Sequence, residues 1–121
     1  MIQFINYKKC STCKNAEKWL KENGIMFEDR QIVENNPTAE EIKKFMELSG
    51  QPIKKFFNTS GILYREMNLK DKVATGTEEE LLNILASNGM LVKRPLLVTE
   101  DNVLIGFKEK EWAEYFSKNK I

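Results

Sequence analysis

The chain contains no histidine, and that absence excludes more chemistry than any residue present. Without imidazole there is no Ser-His-Asp or Cys-His apparatus and no histidine general base. Cysteine is nearly as scarce, with only Cys10 and Cys13. A structural zinc site needs about four ligands, so one here would have to be completed by carboxylates or by a second copy, and no metal is expected. No run of about 18 apolar residues is available to cross a bilayer as a helix. The opening Met1-Ile2-Gln3-Phe4-Ile5-Asn6 lacks a basic stretch and a cleavage site, so no secretory signal is expected and a reducing cytoplasm is the expected home. Charge of one sign is lacking as well: 19 lysines and arginines face 18 acids, for a formal net charge of +1. That balance gives no bulk electrostatic case for nucleic acid or an anionic membrane. Lys43-Lys44 and Lys54-Lys55 accordingly read as solvated helix faces.

What is present fits one domain over residues 1–121, since 41% hydrophobic and 31% charged residues describe a globular chain with a core. Apolar residues on both faces of Ile2 to Asn6 predict a short buried strand. Cys13, Ala16, Trp19 and Leu20 then follow helical spacing, and Asn23-Gly24 ends that helix with a residue that accepts the left-handed cap. Ile25 to Val33 reads as a second strand, broken at Asn35-Asn36-Pro37. Thr38-x-x-Glu41 and Thr77-x-x-Glu80 are capping boxes. The first opens a helix with Ile42, Phe45 and Met46 inward, closed by Gly50. The second opens one with Leu81, Ile84 and Leu85 inward, ending at Asn88-Gly89. Between them, Pro52 to Thr75 reads as short helical turns packing Phe56, Phe57, Ile62, Leu63, Tyr64, Met67 and Leu69. Arg65 reads as half of a surface ion pair. Leu96-Leu97-Val98 and Val103 to Gly106 read as an antiparallel hairpin turning at Glu100-Asp101-Asn102. A last helix carries Trp112, Tyr115 and Phe116 inward. Two strands flanking a helix imply a right-handed parallel crossover. The predicted architecture is therefore α/β: a thioredoxin-like four-stranded mixed sheet flanked by helices, with a helical insertion at about 37–90 between the two halves of the core.

Cys10-Ser11-Thr12-Cys13 lies where the first strand hands over to the first helix. Thiolate is the reactive form of cysteine, and a free thiol titrates near 8.5. A cysteine at a helix start faces the positive end of the helix dipole, a setting that can lower its pKa to roughly 3.5–7.5. The i, i+3 spacing lets Cys13 meet Cys10 on one turn and resolve a mixed disulfide formed there. The competing use, cysteines packed as small apolar residues, fits Cys13, on the core face with Ala16 and Leu20, better than it fits Cys10. Arg94-Pro95 is the second constellation. An X-Pro bond can adopt cis at small cost, and a cis turn before the third strand would set Arg94 beside the cysteines. Arginine there would fork onto an oxyanion or carboxylate and favour thiolate; otherwise it would salt-bridge a surface acid. The site expected from the residues is Cys10, Cys13 and Arg94 as catalytic groups, with Ser11, Thr12 and Pro95 along the substrate groove.

At Lys9-Cys10-Ser11-Thr12-Cys13-Lys14, Asn58-Thr59-Ser60-Gly61-x-x-Tyr64 and Lys93-Arg94-Pro95 the chain resembles the arsenate reductase and Spx family, essentially end to end. The resemblance implies a thioredoxin-like core with a helical insertion. Glutaredoxin-linked arsenate reductases are similar at Cys10, their nucleophile, and at Arg94. Their two further arginines fall at Asn58 and near Gly106-Phe107, and neither is arginine here. Spx-type regulators are similar at both cysteines, which form their redox switch. Their contact with the RNA polymerase alpha subunit uses a glycine and an arginine that map near Pro52 and Ser60, and both are replaced here, which weakens that expectation. What the resemblance implies is a C-x-x-C redox protein with neither specialisation complete. It would hold no bound cofactor and would draw electrons from glutathione, thioredoxin or glutaredoxin. Its expected partner is a redox protein or a low-molecular-weight thiol.

Overall fold

The structure is a computed structural model, and it describes residues 1–118. Four strands form one sheet in the order β2-β1-β3-β4, where β1 is Gln3–Asn6, β2 Glu28–Gln31, β3 Leu96–Val98 and β4 Val103–Ile105. β1 runs parallel to β2 and antiparallel to β3, and β3 pairs antiparallel with β4. The parallel step is bridged by α1 (Ser11–Glu22). Between β2 and β3 come α2 (Ala39–Ser49), a 3-10 turn at Ile53–Phe56, α3 (Ile62–Glu66), α4 (Leu69–Thr75), α5 (Glu78–Ser87) and a second 3-10 turn at Gly89–Leu91. The chain ends in α6, Glu109–Lys118. This is the thioredoxin-like plan, with helices inserted between its two halves.

The sheet separates two apolar layers because strand residues alternate faces. On one side Phe4 and Leu97 meet Ala16 and Leu20 of α1 and Trp112 of α6. The Trp112 indole nitrogen donates to the Gly106 carbonyl at 3.1 Å, so the largest buried ring also has its polar atom matched. On the other side Ile5 and Leu96 meet Ile42 and Phe45 of α2, Leu85 of α5 and the Phe56–Phe57 pair. Both threonine boxes form as read: Thr38 accepts from the Glu41 amide while Glu41 accepts from the Thr38 amide, and Thr77 and Glu80 do the same. Each such cap is worth about 1 kcal/mol.

Several local expectations change. The second strand covers only Glu28–Gln31 rather than Ile25 to Val33, since Met26 and Val33 project into solvent. Ile62 and Met67 are 72% and 46% exposed instead of packing inward, because helices as short as α3 bury only one side. In α5 the inward residues are Leu81, Leu82 and Leu85, with Ile84 partly covered. The final strand stops at Ile105, and Gly106 leaves it at φ +74°. Arg65 donates to the Ser60 carbonyl at 3.2 Å, and the salt bridges among the described residues do not include it.

Candidate functional site

The site forms where β1 ends. After Asn6 the chain turns through Tyr7-Lys8-Lys9, and the Cys10 amide donates back to the Tyr7 carbonyl at 3.0 Å. That closure leaves Cys10 as the extended N-cap residue of α1, with φ −97° and ψ 122°. Its carbonyl already accepts from the Lys14 amide at 3.1 Å. The first-turn amides of a helix have no intrahelical acceptor, so the Cys10 sulfur stands at the donor-rich end of α1. Cys13 lies one turn in and faces the core at 1% exposure, its sulfur accepting from the Tyr7 amide at 3.5 Å. Both cysteines are free thiols, Cys10 half-buried and Cys13 buried.

The two thiols are driven apart electrostatically. Burial pushes Cys10 up, but the Cys13 amide and thiol and the hydrogen bond and charge of Arg94 together outweigh it, so the net shift is downward. Cys13 is pushed up to about 12, first by burial and then by its hydrogen bond to, and the negative charge on, Cys10. The two thiols are thus shifted in opposite directions, Cys10 towards thiolate and Cys13 towards the protonated thiol.

Arg94 comes from the opposite side of the site, just before β3. Its bond to Pro95 is cis, as a turn at this position allows. The guanidinium carbon lies 5.0 Å from the centroid of the Tyr7 ring. Its Nε and Nη1 are fully enclosed and meet no protein acceptor among the described residues. Buried donors without acceptors are costly. A carboxylate or other anion is the natural complement.

Cys10, Thr12 and Arg94 open onto one groove of about 1310 Å³. Lys54, Lys55 and Lys93 stand along it, and Asn58 and Gly106-Phe107 also line it. Of the residues expected around the substrate, Thr12 lines this groove, Ser11 is exposed on the first turn of α1, and Pro95 is buried behind Arg94. Pro52 is exposed before the first 3-10 turn, and Ser60 is exposed at the groove's edge. Lys54 and Lys55, read as a plain solvated face, are exposed but belong to the groove wall. Sequence reasoning missed Tyr7, which touches both cysteines through its backbone and Arg94 through its ring. Nothing in the pattern of residues marked it.

The model of the ArsC family matches residues 5–115. YusI of Bacillus subtilis strain 168 is 49% identical over 113 residues, covering 93% of this chain and 96% of that protein. The Bacillus subtilis regulatory protein MgsR is 28% identical over 120 residues, covering 99% and 94% of the two chains. Among solved structures, an ArsC family related protein from Bacteroides fragilis superimposes with a TM-score of 0.90 at 56% identity, over 93% of this chain and 95% of that one.

Proposed function

The chain belongs to the ArsC family, and from that premise we propose that it is a thiol-disulfide redox protein in which Cys10 is the nucleophile and Cys13 the resolving thiol. The observation that carries this reading is the placement of two free thiols one helical turn apart, Cys10 half-buried at the N-cap of α1 and Cys13 buried in its first turn. Cys10 thiolate attacks one sulfur of a substrate disulfide, forming a mixed disulfide and expelling the other substrate sulfur as thiolate. Cys10 then no longer carries charge, which removes two of the influences that hold the Cys13 proton. Cys13 gives that proton to the expelled thiolate or to water and attacks the Cys10 sulfur. A Cys10–Cys13 disulfide closes, and the second substrate thiol leaves. Two electrons from glutathione, thioredoxin or glutaredoxin return the pair to dithiol, a cycle suited to a reducing compartment such as the cytoplasm.

Trapping tests this reading. In Cys13→Ser the mixed disulfide at Cys10 has no resolving thiol, so protein-bound adduct accumulates stoichiometrically when a test disulfide is added. Intact-mass spectrometry would show it. Equal single turnover by Cys13→Ser and the unmodified protein would remove Cys13 from the reaction.

The likeness to MgsR, which is named a regulatory protein, favours a second reading in which the same disulfide switches affinity for a protein partner. Identical partners captured under reducing and oxidising conditions would exclude it. Arsenate reduction is less well supported, because Arg94 is the only arginine lining the groove among the described residues. Glutaredoxin-coupled NADPH oxidation on adding arsenate would reinstate it.

A further inference from the structure

Tyr7 touches every member of the thiol site. Its carbonyl accepts the Cys10 amide at 3.0 Å, and its amide donates to the Cys13 sulfur at 3.5 Å. Its ring lies 5.0 Å from the Arg94 guanidinium carbon. The backbone contacts can be made by any residue but proline at this position, so they do not explain an aromatic ring. The ring contact can be made only by an aromatic.

Arg94 needs such a support. Two of its nitrogens, Nε and Nη1, are enclosed and meet no acceptor among the described residues, so no carboxylate fixes the plane of the guanidinium from behind. A cation over an aromatic face is held by the ring's quadrupole without using up an N–H. We propose that Tyr7 is a positioning residue whose ring holds the Arg94 guanidinium against Cys10. The arrangement is better suited to the task than an acid in the same place. A carboxylate would orient the arginine but cancel its charge, and the cation would then no longer favour thiolate.

The inference deepens the reading of Cys10 as nucleophile and rests on it, but its test uses no substrate. The groups around Cys10 that bear on its titration are the Cys13 thiol and Arg94, with the exposed Lys9 and Lys14 adjoining. The ultraviolet absorbance of the thiolate is followed against pH in the reduced protein, where the Cys13 thiol stays protonated through the relevant range. Tyr7→Phe keeps the ring and leaves the Cys10 midpoint where it is. Tyr7→Leu loses the ring and raises the midpoint by about half a pH unit. In an Arg94→Gln background, Tyr7→Leu adds no further shift, because the ring acts through the arginine. A Tyr7→Leu midpoint that does not move, or the same rise in both backgrounds, would overturn the proposal.

Should Tyr7→Leu misfold, pentafluorophenylalanine introduced at position 7 keeps the ring's shape and reverses its quadrupole. Its Cys10 midpoint is then higher than that of Tyr7→Phe, and equality between the two overturns the proposal. A protein that fails to turn over disulfides can still pass all of these titrations. The failure of the functional reading is therefore distinguishable from the failure of this one.

Discussion

At the scale of residues, the site is a contrast between two chemically identical side chains. Cys10 and Cys13 differ in burial and in position relative to the helix end, and these differences, with their hydrogen bond to each other and the nearby Arg94, shift them in opposite directions. Arg94 is the element of the contrast most open to test. Its hydrogen bond and charge both favour the Cys10 thiolate, against burial, which opposes it. Arg94→Gln keeps a hydrogen-bond donor and removes the charge, so the Cys10 midpoint rises by about 1 pH unit. The alkylation rate at a pH below the new midpoint falls in proportion to the lost thiolate, while the limiting rate at high pH is unchanged or slightly higher. Iodoacetamide kinetics across pH would read both limbs. A midpoint unaltered by the substitution would mean that the helix start alone activates Cys10. Linkage gives the accompanying sign: a thiol whose folded pKa is lowered adds stability above its unfolded pKa, and that contribution is lost as pH falls through the folded value.

At the scale of elements, most boundaries were legible because capping chemistry is local. Both threonine boxes, the glycine at position 50 and the buried stripe of α2 could be read from spacing and were found in place. What could not be read depends on distant backbone. Gly89 looked like a helix stop, yet its φ is not positive and it opens the second 3-10 turn. A Cβ there would stand 2.1 Å from the Ile32 carbonyl oxygen, so glycine is required by close approach to the end of β2. The Arg30–Glu41 pair was equally hidden, since it joins residues on β2 and α2 that only the fold brings together. Arg30 Nη1 and Nη2 fork onto the Glu41 carboxylate at 2.8 and 2.9 Å, and the same carboxylate accepts from the Thr38 amide. The Arg30 hydrogen bonds lead the influences that hold Glu41 down at about 2, with burial opposing. A carboxyl lowered from about 4.5 to about 2 supplies stability that is complete above the unfolded value. That stability is lost as pH falls through this interval. Glu41→Gln retains the capping box and removes the ionic part. The Glu41 side chain is 37% exposed and water screens the pair, so the expected loss is about 1 kcal/mol at neutral pH. The loss shrinks towards pH 2, where the parent has also lost the charge. Urea melts at neutral and acid pH check this, and an equal deficit at both would assign the effect to the cap instead.

At the scale of the whole molecule, the near-zero net charge hides a local excess that sequence counting averaged away. The groove beside Cys10 is lined by Lys54, Lys55, Lys93, Lys108 and Arg94 against Glu66 and Glu111. Lys108 and Glu111 stand 3.6 Å apart and offset each other. The remaining cations come from segments far apart in sequence, the first 3-10 turn and the approach to β3, so only the fold gathers them. A cleft carrying one sign of charge concentrates ligands of the opposite sign, and salt screens that attraction over about 10 Å at 0.1 M. Two small disulfides of similar reactivity separate this effect from chemistry: oxidised glutathione, which is anionic, and cystamine, which is cationic. Reduction of the anionic disulfide is expected to be about tenfold more efficient at low ionic strength, and the ratio to fall towards one as salt is added. Lys54→Glu with Lys55→Glu reverses charge on the groove wall without touching the thiols. It lowers the ratio at low salt while leaving the Cys10 alkylation midpoint nearly unchanged. Equal efficiencies for the two disulfides at low salt would show that the groove does not select by charge. Arg94 would then act on the thiolate alone.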